Sequence, residues 1–483
     1  MTPLQQTDPR RIPSTYLVCA AAAFLLTLWY ASARIWDVDE GWTFVSVKSE
    51  SIQDLLTYRH FNIANNHLLN SLWFKMMQLA GCRNVLCYRG LSLFCFLPYA
   101  YFLYRAAAYQ ATGRVEKWLP LFFLPPVMFY FAAGRGYALA ITAFCGALYY
   151  LQACIADQKA ATYWKFIACG ALSSLAIVSF FYPFAAMLIY LYAGKYRTRF
   201  FTPRAVISGI LLLCLTAYIY YIGKTILLND KIINGTDNLF ANGMYSTFFG
   251  TLGFSDLIQW PAFYTLLHLE MVSKILIIVT FLPVAAILLW KYLRRYITIP
   301  VLLIASFLFL LGHIVVHAKY PSDRSALYLL YLIYIPVVLV IAGTGNKLFR
   351  AHYYTAFFFC FLNLAGFFVE LFQPNIYSVL AKMPPGQYTV YSDWPNYADD
   401  ACSELYFGGR ITFHYLAKSF ETDLPLVDRK IKAALTDPQA DLILLQKSAY
   451  IRNKDLLQQG FTIRPVLSSG IKELYLIKRE TVR

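Results

Sequence analysis

The sequence predicts an all-α polytopic membrane domain of about eleven transmembrane helices, followed by a small C-terminal α/β domain outside the membrane. Three observations predict it. Only 14% of the 483 residues are charged while 59% are hydrophobic, against roughly 25% charged in a soluble globular domain. Apolar runs of about 18 to 22 residues recur from Tyr16 to near Phe372, each long enough to cross a hydrocarbon core of about 30 Å as a helix. After Pro374 the pattern changes to short alternating apolar segments with more acids and turn residues, so the chain is expected to divide into residues 1–373 and residues 374–483.

The net charge of +16 does not point to nucleic acid, because the cations form no continuous patch. They cluster at Arg10 and Arg11, at Arg105, Arg114 and Lys117, at Lys159 and Lys165, at Lys195 to Arg204, at Lys291 to Arg295, and at Lys347 and Arg350. Each cluster ends an apolar run and every second loop carries one, which is the positive-inside pattern. With these as cytoplasmic anchors, spans are expected near 15–33, 89–109, 118–133, 137–155, 163–181, 182–194, 205–223, 272–290, 299–316, 325–343 and 353–372. The basic clusters put the N-terminus in the cytoplasm, and the odd count then puts the C-terminal domain on the far side; a bacterial inner membrane is the expected location. The first run ends in Arg34-Ile35-Trp36-Asp37 rather than at a small-residue cleavage site, so it is read as a retained span and not a signal peptide.

Asn66 to Leu79 is apolar but carries Asn66, His67, Asn70, Lys75 and Gln78. Fourteen residues reach only about 21 Å as a helix, so an amphipathic helix at the membrane surface is expected. Three non-cytoplasmic segments then share one face: the loop from Arg34 to Tyr88, the loop from Lys224 to Met271, and the turn His317-Ala318-Lys319-Tyr320-Pro321-Ser322-Asp323-Arg324. Arg135 and Tyr137 fall on that face too.

In the tail, Tyr388–Tyr391, Asp441–Gln446, Phe461–Leu467 and Glu473–Ile477 read as strands, and Tyr397–Phe407 and Val427–Leu435 as helices. Gly408-Gly409 is an isolated pair and not a nucleotide-binding loop. Seven of the ten cysteines lie in apolar runs, where a thiol behaves as a small hydrophobe. Cys82 and Cys87 share an external loop, where a bridge could form.

Chemistry is concentrated at Asp37-Val38-Asp39-Glu40, three carboxylates at the exit of the first span between Trp36 and Trp42. Such a cluster is most often solvated charge at a helix end. The same face, however, carries His67, Arg135, His317, Lys319 and Arg324 next to apolar helices. A carboxylate held at an apolar rim becomes a better proton acceptor, because partial desolvation penalises its charge. Cations nearby suit a leaving phosphate, whose developing charge needs compensation. The turn from His317 to Arg324 places Lys and Arg outside, against the positive-inside rule, and so points to an anionic partner. A divalent metal shared by Glu40 and His317 stays open, since scattered oxygen and nitrogen ligands make no metal signature.

These residues resemble the integral-membrane glycosyltransferases of the GT-C fold, in the branch of protein O-mannosyltransferases and lipid A aminoarabinose transferases. Asp39-Glu40 is similar to that family's acidic pair after its first span. Asn66-His67-Leu68-Leu69-Asn70-Ser71-Leu72-Trp73, followed by Gly81, Arg89 and Ser92, is similar to its second loop helix, although the usual His-Pro-Pro or Lys-Pro-Pro is here His67-Leu68-Leu69. Gly134-Arg135-Gly136-Tyr137-Ala138-Leu139 resembles its Arg-x-Tyr-Ala-Leu turn, and Tyr320-Pro321 to Arg324 its late Pro-Arg-Tyr segment. The resemblance covers roughly residues 15 to 345. It implies a sugar donor on polyprenyl phosphate and a glycan, lipid or protein acceptor, with transfer on the non-cytoplasmic face and inversion of configuration. By the same resemblance Asp39 would be the base and Glu40 the positioning acid. His67, Arg135, Lys319 and Arg324 would hold the donor phosphate, and Asn66, Tyr137 and His317 would position the substrate. A transporter or flippase of lipid-linked saccharides is the rival reading; it would favour internal repeats and broken helices, and no repeat is evident.

Overall fold

The computed structural model describes residues 12–34, 36, 38–58, 67–193, 202–228, 267–316, 326–372, 380–393, 402–405, 409–416, 424–437, 440–457, 461–467 and 473–479. Asp37, Asn65, Asn66, His317, Lys319 and Arg324 lie outside them. Before the tail the α-helices among the described residues are α1 Ser14–Ala33, α2 Val38–Ser49, α3 Ile52–Thr57, α4 Leu68–Leu79, α5 Val85–Ala108, α6 Pro125–Ala132, α7 Tyr137–Asp157, α8 Ala160–Ala176, α9 Phe181–Ala193, α10 Pro203–Leu228, α11 Leu267–Tyr292, α12 Thr298–Val316, α13 Tyr328–Thr344 and α14 Lys347–Phe372. The chain divides into two compact units. One holds Met1–Ser32, Ser51–Trp73 and Tyr88–Phe367; the other holds Ala33–Glu50, Phe74–Cys87 and Phe368–Arg483.

The first unit is the helical part of a multi-pass membrane protein. Ten of the eleven expected spans correspond to single helices, and α1, α5, α7, α10 and α12 supply segments long and apolar enough to cross a membrane on their own. Helices suit this setting because every backbone polar group is satisfied within the segment. The core is formed by α7 and α13, which are buried along most of their length.

The expected span at 118–133 is instead broken. Two 3-10 turns, Val115–Lys117 and Leu119–Phe123, precede the short α6. Pro120, Pro125 and Pro126 remove N–H donors, and the residue before a proline is pushed out of the helical region; Leu124 is accordingly extended, at φ −84° and ψ 170°. The carbonyls freed by the break are closed by tyrosines. Tyr99 donates to the Phe122 carbonyl at 2.8 Å and Tyr353 to that of Trp118 at 2.6 Å, while Tyr331 donates to the Tyr99 hydroxyl at 3.1 Å. Buried non-helical backbone persists among apolar helices only with such partners. Composition shows an apolar run here; the prolines decide that it cannot be one helix.

In the second unit the tail forms a five-stranded sheet, β1 Tyr388–Ser392, β2 Ile411–Tyr415, β3 Leu442–Gln446, β4 Phe461–Leu467 and β5 Glu473–Arg479, in the order β2-β1-β3-β5-β4. β1 runs parallel to β2 and β3, and β5 antiparallel to β3 and β4. The helices α15 Leu424–Thr436, α16 Lys447–Arg452 and α17 Lys454–Leu457 complete it. Ile431, Leu445 and Ile477 stand at the centre of its core. The four strands read from the sequence are present. β2 escaped because it is a five-residue edge strand with Thr412 and His414 facing out. Of the expected helix 397–407, residues 402–405 are described and helical. Cys82 and Cys87 are neighbouring thiols rather than the disulfide considered for them.

Asp393, directly after β1, is a buried carboxylate that accepts the Gln446 amide at 2.8 Å. Burial pushes its pKa up to about 6, the Gln446 bond and the field of Arg452 oppose the rise, and Asp428 adds to it. Asp428 itself is held low by its bonds to Arg452 and Asn453. A folded-state pKa raised above the unfolded value means that this group's stabilising contribution is complete below about pH 4 and is lost as pH rises through about 6. Hydrogen exchange of the full chain at core amides of the sheet such as Leu445 and Ile477, corrected for intrinsic rate, is therefore expected to report tighter protection at pH 5 than at pH 7.5. Asp393→Asn, which stays neutral and still accepts a bond, is expected to flatten that dependence.

Candidate active site

Each unit carries part of the residue set singled out from the sequence. In the second unit, α2 begins five residues after α1 ends, with Asp39 and Glu40 in its first turn. A helix N-terminus carries about half a positive charge, which favours carboxylates there. The Asp39 carbonyl accepts the Thr43 hydroxyl at 2.8 Å, and Asp39 is half-buried while Glu40 is fully buried. Trp36, also fully buried, fixes the entry to α2 by packing on Phe44 and Phe74 at centroid distances of 5.1 and 5.8 Å.

The far end of α2 is closed by α4. Lys75 Nζ reaches the carbonyls of Val47 and Lys48 at 3.0 and 3.4 Å, and Gln78 donates to that of Phe44 at 2.8 Å. A cation on the last carbonyls of a helix satisfies orphan acceptors and matches the dipole. Lys48 also pairs with Glu404 of the tail at 2.8 Å, an exposed ion pair worth at most about 1 kcal/mol. Helix α2 is thus held at both ends, and its two acids start from a fixed first turn.

In the first unit, α6 and α7 are joined by Ala133-Gly134-Arg135-Gly136. Asn70 donates to the Gly134 carbonyl at 2.7 Å and Ser92 to that of Arg135 at 3.1 Å, so α4 and α5 hold the turn by its backbone. A Cβ on Gly136 would stand 2.8 Å from His67 Cβ and 2.9 Å from the Ala176 carbonyl oxygen. Only glycine admits that approach. His67 meets the Tyr137 ring edge-on at 4.8 Å, and the Arg135 guanidinium lies 5.2 Å from the centre of the same ring. Arg135 is 3% exposed. Such a cation held against an aromatic face, on a turn pinned by two neighbouring helices, is preorganised to receive an anion.

His67, Arg135 and Tyr137 are therefore brought together as the sequence suggested, and Asp39 and Glu40 share one helical turn. Asn66, His317, Lys319 and Arg324 are outside the described residues. Among the described residues no group of three or more His, Cys, Asp or Glu gathers as metal ligands. Sequence reasoning gave no role to the residues that hold the turns: Asn70, Ser92, Lys75, Gln78, and Arg89, which is buried and donates to the Ala31 carbonyl at 2.5 Å in the last turn of α1. Their signal is a single polar side chain within an otherwise apolar run.

No family model matches the chain, and no curated protein matches it. Among solved structures it is similar to the apo crystal structure of ArnT from Cupriavidus metallidurans. The two are 14% identical, the match covers 95% of this chain and 97% of that one, and the TM-score is 0.42.

Proposed function

We propose that this chain is a membrane glycosyltransferase that moves a sugar from polyprenyl phosphate to a glycan, lipid or protein acceptor on the non-cytoplasmic face, with inversion. The observation that carries the reading is the first turn of α2, where Asp39 and a fully buried Glu40 follow directly on the end of a membrane span. Asp39 takes the proton from the acceptor hydroxyl as its oxygen attacks the anomeric carbon, and the bond to the phosphate oxygen breaks. Polyprenyl phosphate leaves already anionic, so no dedicated acid is required. Arg135, Lys319 and Arg324 neutralise that phosphate, Glu40 and His67 orient the donor, and Asn66, Tyr137 and His317 position the substrate. Residues 1–373 form the catalytic domain in this reading, in a bacterial inner membrane, and residues 374–483 an accessory extracytoplasmic domain.

The break between Val115 and Ala132 favours a second reading, a transporter of lipid-linked saccharides, since transporters bind substrate at interrupted helices. Against it, carbonyls freed by this break are closed by tyrosine hydroxyls. A detergent-purified chain given a polyprenyl-phosphate sugar and an acceptor extract separates the two. Release of polyprenyl phosphate with a glycosylated product is expected; a donor that stays chemically intact across a panel of sugars would leave the transporter reading.

A further inference from the structure

The end of the first unit opposite to Arg135 carries a second arrangement of cations and aromatic rings. Tyr137 and Tyr149 are twelve residues apart on α7, about 18 Å along the helix. At Tyr149, Arg105 from α5 donates to the phenol oxygen at 2.7 Å, and its guanidinium lies 4.9 Å from the ring centre and 5.8 Å from that of Tyr101. Tyr149 packs on Tyr150 at 4.9 Å, and Lys165 from α8 stands 5.7 Å from the Tyr150 ring. Three helices thus present two cations joined by two phenol rings. The nearby carboxylate of Asp157 is turned onto its own loop, where it accepts the Lys159 amide and the Thr162 hydroxyl.

The surface leading to these cations is apolar and exposed. On α5, Phe94, Leu97 and Tyr101 stand out at 74%, 58% and 41% exposure, and with Arg105 they follow helical spacing along one face. From Phe94 to Arg105 the stripe runs about 16 Å, close to half of a hydrocarbon core of about 30 Å. On α8, Ala168 and Leu172 are exposed one and two turns beyond Lys165, on the same face. Each stripe is therefore hydrocarbon-facing over one leaflet and cationic at its end, at the side that the basic clusters assign to the cytoplasm.

We infer that Arg105, Lys165 and the phenol of Tyr149 form a headgroup site for an anionic phospholipid of the cytoplasmic leaflet, its acyl chains lying along the α5 and α8 stripes. The charge complementarity is specific in kind. A guanidinium and an ammonium suit a phosphodiester, whereas the trimethylammonium of a zwitterionic choline headgroup would meet two like charges. The site lies outside the residues proposed for sugar transfer and does not depend on that reading.

The test titrates the full-length protein in mixed micelles with phosphatidylglycerol or phosphatidylcholine and reads retained lipid by native mass spectrometry. Phosphatidylglycerol is expected to be retained in preference. Lys165→Gln is expected to weaken its tightest site about fivefold, and adding Arg105→Gln by about as much again. Lys291→Gln with Arg294→Gln, which removes two cations at the end of α11, is expected to leave that site unchanged. Equal retention of both lipids, or unaltered phosphatidylglycerol affinity in Lys165→Gln, overturns the proposal; because Lys165 is exposed, this variant decides the matter even where Arg105→Gln does not fold.

Discussion

Asp39→Asn is expected to lower sugar transfer by roughly 10²- to 10⁴-fold, the contribution of a general base, while the chain still inserts and folds. The substitution keeps the shape and removes the proton acceptor. It leaves the features that hold α2 untouched, because the Thr43 hydroxyl bonds to the backbone carbonyl of residue 39, Trp36 keeps its packing on Phe44 and Phe74, and Lys75 still closes the last turn. The measurement is turnover of a polyprenyl-phosphate sugar by purified protein, with yield and thermal unfolding as the control for folding. Undiminished turnover would remove Asp39 from its assigned role. Glu40→Gln provides the contrast. Glu40 is fully buried and assigned to orientation, so its loss is expected to be accompanied by weaker donor binding.

The second large effect is expected for Arg135→Gln. A charge-assisted bond to phosphate contributes about 1.5–3 kcal/mol, so losing it should raise the donor KM by about 10- to 100-fold, with a smaller effect on the acceptor. Arg135→Lys is expected to recover only part, because an ammonium cannot reproduce the flat bidentate face that also lies against Tyr137. Asn70 and Ser92 bind the carbonyls of the turn and not the arginine side chain, so its backbone is held in either variant. An unchanged donor KM in Arg135→Gln would make Arg135 a packing residue. If both predictions hold, the base and the phosphate ligand are separable by kinetics, one acting on turnover and the other on donor affinity.

Much of the fold was legible because lipid as a solvent leaves few choices. A segment of 18 or more apolar residues must close its own hydrogen bonds, so ten helices could be read from composition, and the polar residues between Asn66 and Leu79 set α4 apart as a short separate helix. The run at 118–133 reads as one span from apolar content alone, which does not register where N–H donors are missing. Three prolines break it, and the tyrosines that repair it come from α5, α13 and α14, far away in sequence. The edge strand β2 is not legible in the sequence because one of its faces is polar.

For the site, the sequence by itself determined the residue types: an acidic pair just beyond the first span, and a Gly-Arg-Gly turn between α6 and α7. These are local properties, fixed by spacing along one stretch of chain. Only the tertiary structure decided how they are held. Glu40 is buried while its neighbour Asp39 is half-buried; His67 and Arg135 meet at Tyr137; and α2 is closed by Lys75 and Gln78 from another helix. Burial and capping depend on which surfaces meet, and those contacts join residues dozens of positions apart. The physical reason is that charge can be read one residue at a time, whereas its desolvation belongs to everything packed around it.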